Sequence, residues 1–297
     1  MRKHEQRGER VNRCLQHFLI AAAAMMVSAP ARADDDTLPA ADKATPTVVV
    51  TATRYPVDVE TVGSAVTVIT EQELQQQQTS FVSDILREVP GVAVNRSGTF
   101  GTSTQVRIRG AEGNHTLVII DGVEVNDPAG GNEFDFGDLL ASDIERIEIL
   151  RGPQAILYGS NTIGGVINTI TKRGKGAPKV TARAEGGSFH TFDGAASISG
   201  GDETVNGYLG LSGFRTAGIN ISENGGENDG YKNMTLNSSV NVKPFEILEL
   251  SGTLRYIDAE LQYDGYGDVS DSDGFIIPND ADEVDERTSL SGRAQAK

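Results

Sequence analysis

Two textures of apolar and polar residues divide the chain. Between Thr61 and Thr171 the hydrophobic period changes every few residues, as it does in a small α+β domain. Ala65 to Ile69 alternates like a strand. Thr70-Glu71-Gln72-Glu73 then predicts a helix start, with Thr70 accepting from the Glu73 amide and the Glu73 carboxylate reaching back. Phe81, Val82, Ile85, Leu86 and Val89 fall at helical spacing and predict a second helix over 81–88, stopped by Pro90-Gly91. Strands are predicted at 92–95, 105–108 and 117–120, the last turning at Asp121-Gly122 into 123–125 as a hairpin. A charged strand (Ile144, Ile147 and Ile149 interleaved with Glu145, Arg146 and Glu148) runs into Arg151-Gly152-Pro153. A short apolar helix at 155–158, a Gly-punctuated corner and an apolar strand over 166–170 follow. A stretch of about 110 residues is enough for one small core.

After Lys175 to Pro178 the texture becomes alternation over longer spans. Strands are predicted at 180–185, 191–199, 204–214, 234–242, 247–261 and from 288 to the end, with apolar residues such as Val205, Leu209 and Leu211 set among small or polar ones. Their connections alternate as well: short at 200–203 and 243–246, long at 217–230 and 258–287. Short turns on one side and long loops on the other mark a membrane β-barrel, although the strands alone also fit a soluble β-sandwich.

The first 33 residues read as a cleavable export signal. Arg2, Lys3, Arg7, Arg10 and Arg13 precede an apolar run from Phe18 to Val27, and Ala31-Arg32-Ala33 supplies the cleavage pattern. That run is shorter than the roughly 20 residues of a membrane-spanning helix. Cys14 lies ahead of it, so a lipoprotein reading fails and the exported chain has no cysteine to form a disulfide. Residues 34–56 read as a flexible tether. Within it Thr47 to Thr53 is a β-branched run between Pro46 and Pro56, able to pair as an edge strand with something else.

The formal charge is −16, and loss of the leader, with its six basic and two acidic residues, makes it more negative still. Such acidity argues against nucleic acid as a partner. No catalytic constellation is visible: the four histidines are scattered, there is no HExxH, GxSxG or CxxC, and GSNTIGG lacks the Lys-Ser/Thr of a phosphate loop. The chain therefore reads as a non-enzyme. Asp271-Ser272-Asp273-Gly274 fails as an EF-hand because Val269 stands at the first ligand position and no helices flank it.

Several motifs in order resemble one family. Val48-Val49-Val50-Thr51-Ala52-Thr53-Arg54, Asp84-Ile85-Leu86-Arg87-Glu88-Val89-Pro90-Gly91-Val92, Val106-Arg107-Ile108-Arg109-Gly110, Val118-Ile119-Ile120-Asp121-Gly122-Val123 and the Arg151 to Thr171 segment are similar to TonB-dependent outer-membrane receptors. Within that family the likeness is greatest to the cobalamin receptors, with colicin/siderophore receptors beside them. The resemblance implies an α+β plug domain at 57–174, followed at 178–297 by the first six or so strands of an antiparallel transmembrane β-barrel. Barrels that hold such a plug have about 22 strands, so the chain reads as an N-terminal fragment.

The resemblance also implies TonB as partner, outer-membrane lipid around the barrel, and cobalamin or a ferric siderophore as cargo. A passive porin or adhesin barrel and a non-functional truncated product are the other readings. Thr47, Val48, Val49, Val50, Thr51 and Ala52 are expected to form the TonB box, which adds as a strand to a TonB sheet. Plug apices at Thr102, Ser103, Thr104 and Gln105 and at Pro128 and Asn132 are expected to touch ligand. Glu227, Asp229, Asp258, Asp264, Asp271 and Asp273, on acidic outer loops, are expected to hold Ca2+ as the cobalamin receptors do. Arg107 and Arg109, with Glu145, Glu148 and Arg151, are expected to form a polar network between plug and wall, a seam expected to be free of apolar grease.

Overall fold

The structure is a computed structural model that describes residues 48–49, 51, 57–220, 228–264, 266–270, 276–278 and 283–297. The expected export signal lies outside the described residues.

In chain order the strands and α-helices are β1 (Val48–Val49), β2 (Val57–Asp58), β3 (Ala65–Thr70), α1 (Glu71–Gln77), α2 (Val82–Leu86), β4 (Val92–Arg96), β5 (Thr104–Ile108), β6 (Thr116–Ile120), β7 (Val123–Glu124), β8 (Ile144–Arg151), α3 (Ala155–Tyr158) and β9 (Gly165–Thr171). There follow β10 (Gly176–Gly187), β11 (Thr191–Gly201), β12 (Val205–Thr216), β13 (Tyr231–Phe245), β14 (Leu248–Tyr263), β15 (Tyr266–Ser270), β16 (Ile276–Pro278) and β17 (Glu283–Ala296).

Local chemistry sets many of these boundaries. The capping box forms as the sequence predicts: the Glu73 amide donates to Thr70 Oγ1 at 3.3 Å, and the Thr70 amide donates to Glu73 Oε2 at 2.7 Å. Asp121 (φ 50) and Gly122 (φ 80) both take left-handed backbone, which a two-residue hairpin between β6 and β7 requires. The second helix is shorter than expected, Val82–Leu86, because the chain must leave it to reach the β4–β5 hairpin.

The first compact part is a five-stranded sheet in the order β3-β8-β9-β6-β7, with β6 and β9 parallel and the other pairs antiparallel. Helices α1 and α2 and the β4–β5 hairpin cover a core that includes Val82, Leu86, Ile108, Ile147, Ile149 and Ile167. Strand β3 is an edge strand, bonded to β8 alone.

The second part is an antiparallel meander, β10-β11-β12-β13-β14-β17. Its two faces are inverted relative to a soluble sheet. Leu209, Val240, Leu254 and Leu290 point to the outer face and are exposed, whereas Asp193, Ser212, Asn233, Thr235, Asn237 and Arg255 point inward and are buried against the plug. Such a wall suits lipid outside and a polar plug inside. Its strands run longer than the apolar pattern suggested. In particular β14 continues to Tyr263 and β17 resumes at Glu283, so Asp285 and Glu286 belong to the ladder rather than to a loop. Inter-strand backbone bonds hold those acidic residues extended where side-chain polarity alone reads as loop.

Candidate functional site

The site centres on the leading segment and the plug strand beneath it. Val48 and Val49 pair antiparallel with Asp58 and Val57, and Val49 is fully buried. Thr51, only 1% exposed, has every polar group engaged. Its amide and Oγ1 donate to Glu148 Oε2 at 2.8 and 2.5 Å. The Tyr158 hydroxyl donates to the Thr51 carbonyl at 2.9 Å, and Asn168 Nδ2 donates to Thr51 Oγ1 at 3.1 Å.

Glu148 on β8 and Asn168 on β9 are cross-strand partners, so the sheet presents both at one spot. Glu148 is fully buried, and Arg146 Nε bonds its other oxygen at 2.9 Å, balancing the charge. Of the expected TonB-box residues, Val48, Val49 and Thr51 are therefore clamped onto the plug. Thr47, Val50 and Ala52 lie outside the described residues. Sequence reasoning singles out neither Tyr158 nor Asn168 for the site, although Asn168 interrupts an apolar strand run, a pattern that marks a buried polar partner.

The expected plug-to-wall network takes a different form. Arg151 Nη1 donates to the Pro90 carbonyl at 2.5 Å and Nη2 to Thr67 Oγ1 at 3.0 Å; Arg107 reaches Gln105; Arg146 joins Glu145 and Glu148. Arg109, with φ 54, donates its backbone amide to Gly91 at 2.7 Å. These ties stay inside the plug, because β8 is a central strand whose side chains meet other plug elements.

The wall is instead gripped by carboxylates just upstream of β8. Asp143 accepts from Tyr208 (2.6 Å), Ser212 (3.1 Å) and Asn237 (2.8 Å), and Arg255 donates to Asn237 at 3.3 Å. Asp138 accepts from Tyr231 (2.7 Å) and Arg287 (2.9 Å). Nor is the seam free of grease. Phe81 and Phe100 of the plug pack with Phe214 and Tyr231 of the wall, ring centroids 4.9 to 6.1 Å apart, and the Arg96 guanidinium covers Phe81 and Phe100. Aromatic pairs of this kind contribute roughly 0.5–1.5 kcal/mol beyond their burial.

The two expected ligand apices lie side by side. Gln105 Nε2 donates to Glu133 Oε2 at 2.8 Å, and the Thr104 amide donates to Asp135 Oδ1 at 2.9 Å. Ser103 and Pro128 are exposed, Thr102, Gln105 and Asn132 partly so, and Thr104 is buried as a structural residue. Burial is the largest influence on the Asp135 carboxyl and pushes it up, opposed by the Gly137 and Thr104 amides and by Arg287. Arg287 also donates to the Gly101 carbonyl at 2.8 Å, linking both apices to β17. Gly101 is required here: its φ is 80, and a Cβ would run into the Tyr231 ring.

Among the expected calcium ligands, Glu227, Asp271 and Asp273 lie outside the described residues. Asp258 sits within β14, accepting from Thr288 Oγ1 at 3.3 Å. Asp229 and Asp264 are buried at neighbouring strand ends, where the Gln262 amide donates to Gly230 O at 2.8 Å. No cluster of three or more acidic, histidine or cysteine side chains able to hold a metal occurs among the described residues.

A mixed stopper sheet packed on the polar face of an inverted antiparallel wall, with its leading peptide docked on it, defines the class of plugged β-barrel folds. Residues 58–166 match the TonB-dependent Receptor Plug Domain. The chain is 34% identical over 231 residues to the vitamin B12 transporter BtuB of Photobacterium profundum, a match over 74% of this chain and 37% of that protein. The ferripyoverdine receptor of the outer membrane of Pseudomonas aeruginosa superposes with a TM-score of 0.66 at 19% identity, covering 85% of this chain and 34% of the receptor. The siderophore receptor PirA of Acinetobacter baumannii gives 0.53 at 20% identity, over 77% and 44% of the two chains.

The chain belongs to the TonB-dependent receptors, whose plug domain it carries at residues 58–166. It spans about a third of the length of the first relatives it matches.

Proposed function

We propose that this chain is the plug-bearing part of a receptor that takes up a scarce, bulky nutrient across the outer membrane with energy delivered through TonB. Cobalamin is the first candidate, because the relative at 34% identity is a vitamin B12 transporter. The siderophore receptors, all near 20% identity, support the fold alone.

The observation that carries the proposal is the clamp on Thr51. A peptide that adds to a partner's sheet must offer an unpaired edge. Here one edge is occupied by Val57 and Asp58, and Thr51 is tied to Glu148, Tyr158 and Asn168. The peptide is thus stored until it is released, and once TonB holds it, a pull from below is transmitted to the plug. Auxiliary Ca2+ binding at the long-loop end, with Glu227, Asp229, Asp258, Asp264, Asp271 and Asp273 as the candidate ligands, belongs to the same proposal. Titration calorimetry of the receptor with Ca2+ showing no saturable heat would remove it.

Deleting residues 47–53 in cells making the receptor from its own locus tests the proposal: uptake stops while surface binding persists. A passive barrel would keep its uptake. Growth of a knockout on cobalamin against ferric chelates separates the two cargo classes.

A further inference from the structure

The outward face of the wall is apolar along most of its height and charged at one border. Val205 and Leu209 fix the outward face of β12, and Val240 fixes that of β13. Alternation from them places Arg215 and Lys232 outward as well. Between Val205 and Gly213 the outward positions of β12 are apolar or glycine, and between Val242 and Met234 those of β13 are apolar except for Ser238. Ten residues separate Val205 from Arg215. At about 3.3 Å per residue and a strand tilt of about 40°, Arg215 stands roughly 25 Å above Val205, the height of the apolar band of an outer-membrane barrel. Aromatic residues mark the same two levels: Phe245 beside a short turn at one end, Phe189 and Phe192 at the long-loop end.

That long-loop border carries a conflict. Arg215 and Lys232 are directly opposed across β12 and β13, and like charges in that position repel. Lys232 is relieved by Glu260 at 2.9 Å. Arg215 is exposed, and its guanidinium forms no ion pair or hydrogen bond among the described residues. The carboxylates of this face, Asp258, Glu260 and Glu286, stand on β14 and β17, beyond Lys232 as seen from Arg215. On its other side Arg215 has Phe192 as its cross-strand neighbour. A cation where an apolar band meets water lies among lipid headgroups, and on the long-loop side these belong to the outer leaflet.

We propose that Arg215 and Lys232 seat a phosphate of an outer-leaflet lipid headgroup. One phosphate oxygen accepts from the guanidinium fork of Arg215 and another from Lys232 Nζ, which keeps Glu260 as its second partner. The bound anion removes the repulsion within the pair. The ligand is a lipid and not a free ion, because the pair stands on an outward face directly above apolar rows. Acyl chains gain burial against those rows that inorganic phosphate does not. The site rests on the outer-membrane placement of the wall in the proposed function, and on neither the cargo nor TonB.

The full receptor, purified from outer membranes into detergent micelles, is titrated with bisphosphorylated lipid A, and adducts are counted by native mass spectrometry. Each basic residue near an anionic lipid surface changes affinity about fivefold. Arg215→Ala therefore weakens binding by about that factor, and Arg215→Glu weakens it further. Arg215→Lys keeps the charge and stays within twofold of wild type. Lys243→Ala, which removes a half-exposed charge at the short-turn end, does the same. Equal binding by wild type and Arg215→Glu, or an equal loss in Lys243→Ala, overturns the site. So does dephosphorylated lipid A that binds as tightly as the bisphosphorylated form. Displacement of lipid A by an equal concentration of inorganic phosphate makes free phosphate the ligand and overturns the lipid assignment. A wild-type receptor missing from the outer-membrane fraction overturns the placement of the wall, and this site with it, whereas the other results overturn the site alone.

Discussion

Replacing Glu148 by Gln isolates the clamp on the leader. The carboxylate has two acceptor oxygens: one takes the amide and hydroxyl of Thr51, the other takes Arg146 Nε. Glutamine has one acceptor and one donor, so either orientation sets an NH2 against an N–H, facing Thr51 or facing Arg146. Hydrogen bonds to a charged group contribute about 1.5–3 kcal/mol each. Losing one charge-assisted bond in the docked state thus shifts the docking equilibrium by roughly 10- to 150-fold at 1.4 kcal/mol per tenfold.

The readout is a cysteine at Val49, which is fully buried while the leader is docked. Because Cys14 is the chain's one cysteine and lies in the expected leader, alkylation of the exported protein reports this site. When reclosing is fast, its rate follows the open population. Glu148→Gln with Val49→Cys is expected to alkylate roughly 10- to 150-fold faster than Val49→Cys alone and to capture the periplasmic domain of TonB without nutrient. A rate within twofold of the parent would show that the Glu148 contacts carry no docking energy.

Asp143→Ala strands the Tyr208, Ser212 and Asn237 donors and leaves Arg255 without its buried counter-charge; a loss on the order of 3–5 kcal/mol is expected, seen as plug cleavage by added protease at temperatures the wild type resists. Asp202 accepts from the Thr204 and Val205 amides at 2.8 Å each, and these bonds, Val205 first, hold its carboxyl below the usual range. Its contribution is therefore present above the unfolded carboxylate pKa and lost as pH falls through the folded one. Asp202→Ala lowers Tm at neutral pH and converges with wild type in acid; a gap that persists with the carboxyl protonated would assign the effect to something else.

Local signals in the chain were enough to identify most of the plug's elements. The Thr70–Glu73 box, the Asp121-Gly122 turn and the apolar helix at 155–158 depend on neighbours within a few residues, and all form where the pattern predicts. The inverted wall was legible too, because alternation survives in Leu209, Val240 and Leu254 whatever surrounds them. The start of β17 was not, since backbone pairing between distant segments overrides the charge of Asp285 and Glu286.

For the site, sequence alone determined that a β-branched segment, the proposed handle, precedes the plug. Only the tertiary structure decided what holds that handle and what grips the wall. Glu148, Tyr158 and Asn168 come from three separate elements and meet at Thr51 through sheet pairing 97 to 117 residues away in sequence. The charged residues of β8 turn inward on the plug, leaving Asp138 and Asp143 to reach the barrel. Side-chain direction along a strand can be read from its alternation, but the partner opposite each side chain is fixed by how distant strands come to lie together.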